Sequence, residues 1–158
     1  MLCYIDCMLL DCQLVPQTII KPKSFVGLMS LYESNYLRLL QIVPELERLD
    51  GCFHSRVAGE CDLYVEILER CRYTVTLLLT YRFDSETGDV ANPDMLVRAY
   101  LDGELAESMS LGEHHQHVRQ PRLNASRSRE LGACWKRNII LNKWLEYLRD
   151  QGHLILER

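Results

Sequence analysis

From Ser24 onward Phe25, Leu28, Tyr32, Asn35, Tyr36, Leu39, Ile42 and Val43 recur at intervals of three and four residues and form one stripe, the signature of an amphipathic helix. Ser24 suits the N-cap position. Pro44 lacks an amide donor and disfavours helical geometry at Val43, so the helix is predicted to stop there. Between about residues 52 and 110 the period changes to two. Leu63, Val65 and Ile67, and then Val75, Leu77, Leu79, Tyr81 and Phe83, mark strands whose odd positions face a core. After about Ser128 the helical period returns with Leu131, Cys134, Trp135, Asn138, Leu141, Trp144, Leu145 and Leu148. Gly152 closes that helix as its C-cap, with Leu154 as the hydrophobic partner.

Turn chemistry sets two registers. A three-residue loop of Ala58, Gly59 and Glu60, with a positive φ absorbed at or beside Gly59, aligns Phe53 with Val65 and Val57 with Cys61. A two-residue loop at Asp102-Gly103 places Arg98 opposite Glu107 and Tyr100 opposite Leu105. The order helix, strands, helix, without βαβ alternation or an internal repeat, predicts an α+β fold. In it an antiparallel β-meander of four to five strands packs with an N-terminal and a C-terminal amphipathic helix. Residues 24–158 are expected to form this one domain, and residues 1–23 a poorly ordered N-terminal extension. Asp6 and Asp11 break the apolar run in that extension, which also lacks a basic leader, so neither a membrane span nor an export signal is expected.

Composition adds limits. The chain has 158 residues, 47% of them apolar and 25% charged, with a net charge of -4, as in an ordinary globular protein without a general affinity for nucleic acid. Its seven cysteines show no paired CxxC spacing, which suits reduced thiols and a cytoplasmic location better than a disulfide framework or a zinc ribbon.

Three clusters are candidates for chemistry. The GEHHQH stretch carries His114, His115 and His117 beside Glu113, the residue types of a transition-metal shell. Adjacent residues of an extended chain point to opposite sides and no second ligand element is evident, so no metal and no cofactor are expected. The segment from Val118 to Arg137 holds Arg119, Arg122, Arg127, Arg129, Lys136 and Arg137 against Glu130 alone, and would steer an anion to the start of the second helix. The even-numbered sheet face carries Tyr64, Glu66, Thr74, Thr76, Arg82, Arg98, Tyr100 and Glu107. Arg98 with Glu107 reads there as a cross-strand ion pair worth some tenths of a kcal/mol. The chain has no phosphate loop, GxGxxG, HExxH or GxSxG motif.

Four segments, LMSLYESNYLRLLQIVPEL, CRYTVTLLLTYRF, PDMLVRAYLDGELAES and NIILNKWLEYLRDQGH, resemble in order and spacing the YqiB-like family of uncharacterised proteobacterial proteins. The resemblance spans residues 24–154 and is most specific at Val-Arg-x-Tyr-x-Asp with the downstream Ala-Glu. It implies a cytoplasmic protein whose relatives are often encoded near cyclic-nucleotide phosphodiesterase and ADP-ribose pyrophosphatase genes. By motif match it carries over Glu33, Asn35, Tyr36, Tyr73, Thr74, Arg98, Tyr100, Asp102, Glu107, Asn138, Trp144 and Gly152. Leu101 stands where relatives commonly have histidine, Gly132, Ala133 and Cys134 replace their acidic-basic stretch, and HHQH is outside the pattern.

Together these readings predict a non-catalytic protein that binds a protein partner or small ligand, through the sheet face at Arg82, Arg98, Tyr100 and Glu107 or through the connector at Arg119, Arg122 and Arg127. The alternative is an enzyme or sensor acting on a phosphate-containing small molecule such as a nucleotide, with Arg98 and Tyr100 as anion contacts. A closed cleft with a perturbed titratable group would favour the second, an open sheet face the first.

Overall fold

The computed structural model describes residues 23–83, 90–111 and 127–156. Helix α1 (Phe25–Ile42) leads into strands β1 (Cys52–Ser55), β2 (Asp62–Arg70), β3 (Thr74–Phe83), β4 (Val90–Tyr100) and β5 (Leu105–Leu111), followed by helix α2 (Arg127–Asp150). The strands form one antiparallel sheet in the order β1-β2-β3-β4-β5. This is the α+β meander that the change of period predicts. Residues 1–22 of the N-terminal extension, the HHQH run, Arg119 and Arg122 lie outside the described residues.

Both helices pack on the odd face of the sheet. Leu63, Val65, Ile67, Val75, Leu77, Leu79 and Tyr81 are buried with Leu39, Ile42, Leu141, Trp144, Leu145 and Leu148 in one core. Between the two helices, Leu28, Leu31 and Tyr32 meet Trp135 and Ile139 in a second, smaller cluster, against which Leu105 of β5 packs. Ser24 caps α1 by accepting from the Gly27 amide at 3.1 Å, and Val43 ends it by donating to the Leu39 carbonyl. Phe25 lies in the predicted stripe yet is 66% exposed, whereas Leu28, one turn on, is buried.

Gly152 has φ +87 and the His153 amide bonds the Leu148 carbonyl at 3.0 Å, a Schellman ending for α2. The buried residue after the glycine is His153, not the expected Leu154, which stays exposed. The Ala58–Glu60 loop has its positive φ at Gly59, and Phe53 pairs with Val65 as expected. At the other hairpin Arg98 pairs with Glu107 and Tyr100 with Leu105. The turn itself differs: it spans residues 101–104, and the left-handed residue is Glu104 at φ 52 rather than Gly103. A four-residue loop keeps the same pairing while moving the strained position one residue on.

A bulge between Ile67 and Glu69 reverses the alternation at the end of β2. Glu69 moves to the outer face opposite Thr76, and Arg70 turns to the helix side opposite Val75. There the Arg70 guanidinium donates to the carbonyls of Leu46, Glu47 and Leu49, holding the turn that follows Pro44. Replacing Arg70 with methionine is expected to cost about 1–2 kcal/mol in denaturant unfolding, since the freed carbonyls can reach water. An unchanged midpoint would show that the turn needs no such tie.

Candidate functional site

The site residues on the sheet come from three adjacent strands on the face opposite the helices. The pairing places Thr76, Arg98 and Glu107 in one row and Thr74, Tyr100 and Leu105 in the next. Arg98 and Glu107 stand directly opposite each other, but they do not form the expected ion pair. Glu107 accepts from the Tyr32 hydroxyl at 3.0 Å and from the Tyr100 hydroxyl at 2.7 Å. Arg98 instead donates to Thr76 Oγ1 at 3.2 Å and approaches Glu69 at 3.8 Å. The reason is tertiary: α1 brings Tyr32 to β5, where its phenol occupies a carboxylate oxygen, and the β2 bulge supplies Glu69.

Burial, followed by the Glu107 carboxylate, pushes the Tyr32 hydroxyl well above its usual value, and Tyr100 is raised by burial and by its bond to Glu107. Both phenols therefore stay protonated and serve as donors. Glu107 is thereby fixed by two hydroxyls, one of them from a helix, in a geometry that holds α1 against the sheet.

Arg82 has a different setting. Its guanidinium stacks over the Tyr64 ring at 4.4 Å, is exposed, and has no acceptor among the described residues. Beside it lies a hollow of about 140 Å³ lined by Tyr64, Glu66, Leu78, Thr80 and Arg82 together with Cys52 and Phe53 of β1. Stacking fixes the plane of the guanidinium while leaving its N–H donors outward, the arrangement that receives a carboxylate or a phosphate. Arg127, the remaining residue predicted for binding, is the first residue of α2.

The helices conceal a polar network that the stripes alone do not reveal. Asn138 Oδ1 accepts from the Ser108 amide at 2.8 Å and from Asn35 Nδ2 at 3.2 Å, while Asn138 Nδ2 donates to the Cys134 carbonyl. Asn142 Nδ2 donates to Asn35 Oδ1 and to Ser34 Oγ. A second buried set joins the C-terminal tail to the sheet, with His153 Nε2 at 2.6 Å from the Tyr81 hydroxyl and Nδ1 at 3.2 Å from Ser55 Oγ. The signal for the first set was available: asparagines at apolar stripe positions of two helices. Among the described residues no group of histidine, cysteine and carboxylate side chains is arranged to hold a metal, and no helix is long and apolar enough to cross a membrane.

Fold and site thus define an α+β protein with two helices on one sheet face and an arginine-tyrosine pair on the other. The chain belongs to the family described as protein of unknown function (DUF1249), whose model matches residues 38–154. No curated protein and no solved structure matches it.

Proposed function

We propose that this protein is a cytoplasmic, non-catalytic binding protein, of the YqiB-like kind within its family, and that it takes a protein partner or a small ligand on the outer face of the sheet. The observation that carries this reading is Arg82, held in place by Tyr64 beside a hollow and without an acceptor among the described residues. The group it recognises is anionic, a carboxylate of a partner or a phosphate of a ligand. Glu107 supports the non-catalytic side of the reading, since a carboxylate committed to two protonated phenols is not poised to take a proton from a substrate.

A thermal-shift screen with nucleotides, phosphosugars and dicarboxylates tests it. A ligand at about 100 times its Kd stabilises by about 2.7 kcal/mol, which is about 5–10 °C in Tm for a chain of this size. Arg82→Gln should abolish the shift while lowering the ligand-free Tm by no more than about 4 °C, because an exposed stacked arginine adds little to stability. A shift that survives Arg82→Gln would place the binding surface elsewhere. Turnover of a shifting nucleotide would favour the enzyme alternative.

A further inference from the structure

The two edges of the sheet are treated differently. On β5 the outward backbone groups are taken by helix side chains: Asn35 donates to the Ala106 carbonyl at 3.4 Å, the Ser108 amide donates to Asn138, and Arg137 donates to the Ser108 carbonyl at 3.4 Å. An edge covered in this way cannot template another strand. On β1 the Gly51 carbonyl accepts from the Ile67 amide, so the odd residues Gly51, Phe53 and Ser55 face β2. Cys52 and His54 therefore turn their N–H and C=O groups to the open edge, where no described residue meets them. β1 carries neither proline nor lysine, the usual guards of an exposed edge.

Beside that edge lies a groove of about 460 Å³ between Cys52, Phe53 and His54 and the C-terminal tail, with Arg48 and Asp50 at one end. Ile155 is anchored beneath it, its amide donating to the Ile42 carbonyl at 2.7 Å, and Leu156 is 52% exposed along it. The groove has an apolar floor on the helix side and, as its wall, a strand edge that no described residue pairs. An incoming strand would find backbone partners and a place for apolar side chains.

We infer that the occupant is β1 of a second copy of this chain, paired antiparallel about a two-fold axis at Phe53. Only registers that bring even residues opposite even residues close N–H···O=C pairs across the two edges. The one centred on Phe53 sets Cys52 against His54 of the partner subunit and its symmetry mate, using every free group of both strands. It also meets the other two demands of the surface. Phe53 comes against Phe53 of the partner subunit on the helix side, over Ile155 and Leu156. Asp50 comes opposite Arg56 of the partner subunit; Arg56 is already bidentate to Asp62 but keeps 71% of its side chain exposed, leaving room for a second carboxylate. One strand thus matches itself in hydrogen bonding, apolar contact and charge, as an isologous interface requires. The inference does not rest on an anion at Arg82, although Cys52 and Phe53 line both this edge and the hollow beside Arg82.

Light scattering on the full chain at micromolar concentration should return twice the 18.5 kDa chain mass. His54→Pro removes an N–H that bonds no described residue and is tolerated on an edge strand, so it should weaken the dimer at least about tenfold with an unchanged circular dichroism spectrum. Should that variant misfold, His54→Cys carries the test. Mild oxidation should then yield a reducible dimer whose mapped disulfide joins Cys52 to the thiol introduced at position 54 of the other chain. A wild-type monomer, a dimer indifferent to a folded His54→Pro, or a disulfide mapped elsewhere would overturn the inference.

Discussion

Asn138→Ala is expected to lower the unfolding free energy by about 3–4 kcal/mol, a large share of the stability of an ordinary domain. The side chain is fully buried and joins three elements. Its Oδ1 receives the Ser108 amide of the edge strand and Asn35 Nδ2 of α1, and its Nδ2 donates to the Cys134 carbonyl one turn back in α2. Alanine strands the Ser108 N–H where water does not replace the lost acceptor. It also leaves a cavity between two helices and a strand. Asn35→Ala removes the bonds to Ala106 and Asn138 and the acceptor of Asn142, with an expected cost of about 2 kcal/mol. Because the two asparagines bond each other, the double variant should lose less than the sum of the single losses. Urea unfolding at constant m measures all three. A loss below about 1 kcal/mol for Asn138→Ala would show that the β5 edge does not depend on this side chain.

The sequence made the elements legible because period is a local property: the odd apolar positions Leu63 to Ile67 of β2 and Val75 to Tyr81 of β3 bury, as do most stripe positions of both helices, Phe25 being the exposed exception. Pairing was legible at both hairpins for the same reason, since loop length and turn residues specify it within a few positions. What escaped depended on contacts distant in sequence. The bulge after Ile67 has no glycine or proline to announce it, yet it moves Glu69 to the outer face and Arg70 inward. The Arg98–Glu107 register was readable, but the partner of Glu107 is Tyr32, far away in α1 and brought close only by helix packing. Asn35 and Asn138 could be placed on the stripes but not paired, because nothing local says that two helices meet at the edge of a sheet. Of the candidate site, Arg82, Arg98, Tyr100 and Glu107 share the face read from the even positions, but Arg82 lies at the other end of β3 from the Thr76 row and has no acceptor among the described residues.

His153 supplies the second large effect, and its signature is in pH. The ring is 2% exposed and lies between the Tyr81 hydroxyl and Ser55 Oγ, which also accepts the Leu154 amide. Trp144 packs edge-on against Tyr81, and while the His153 backbone amide closes the Schellman turn of α2, its ring fastens the tail to β1 and β3. Replacing it with alanine should cost about 2–3 kcal/mol well above pH 6.5, through lost packing and two lost hydrogen bonds. Burial pushes the imidazole below its ordinary 6.5; Glu60, the bond to Ser55 and Asp62 pull the other way without restoring it. The unfolded chain therefore binds the proton more readily than the folded one. Stability from the neutral ring is complete above pH 6.5 and is lost as pH falls through the lower folded value. Asp62, held low by Arg56, changes only in a more acid range, below the ordinary carboxylate value. His153→Ala should accordingly flatten the stability profile just below pH 6.5, and the gap between variant and wild type should narrow as the solution is acidified. Urea midpoints that stay parallel across that range would mean that His153 does not change charge on unfolding there, and that its contribution is packing alone.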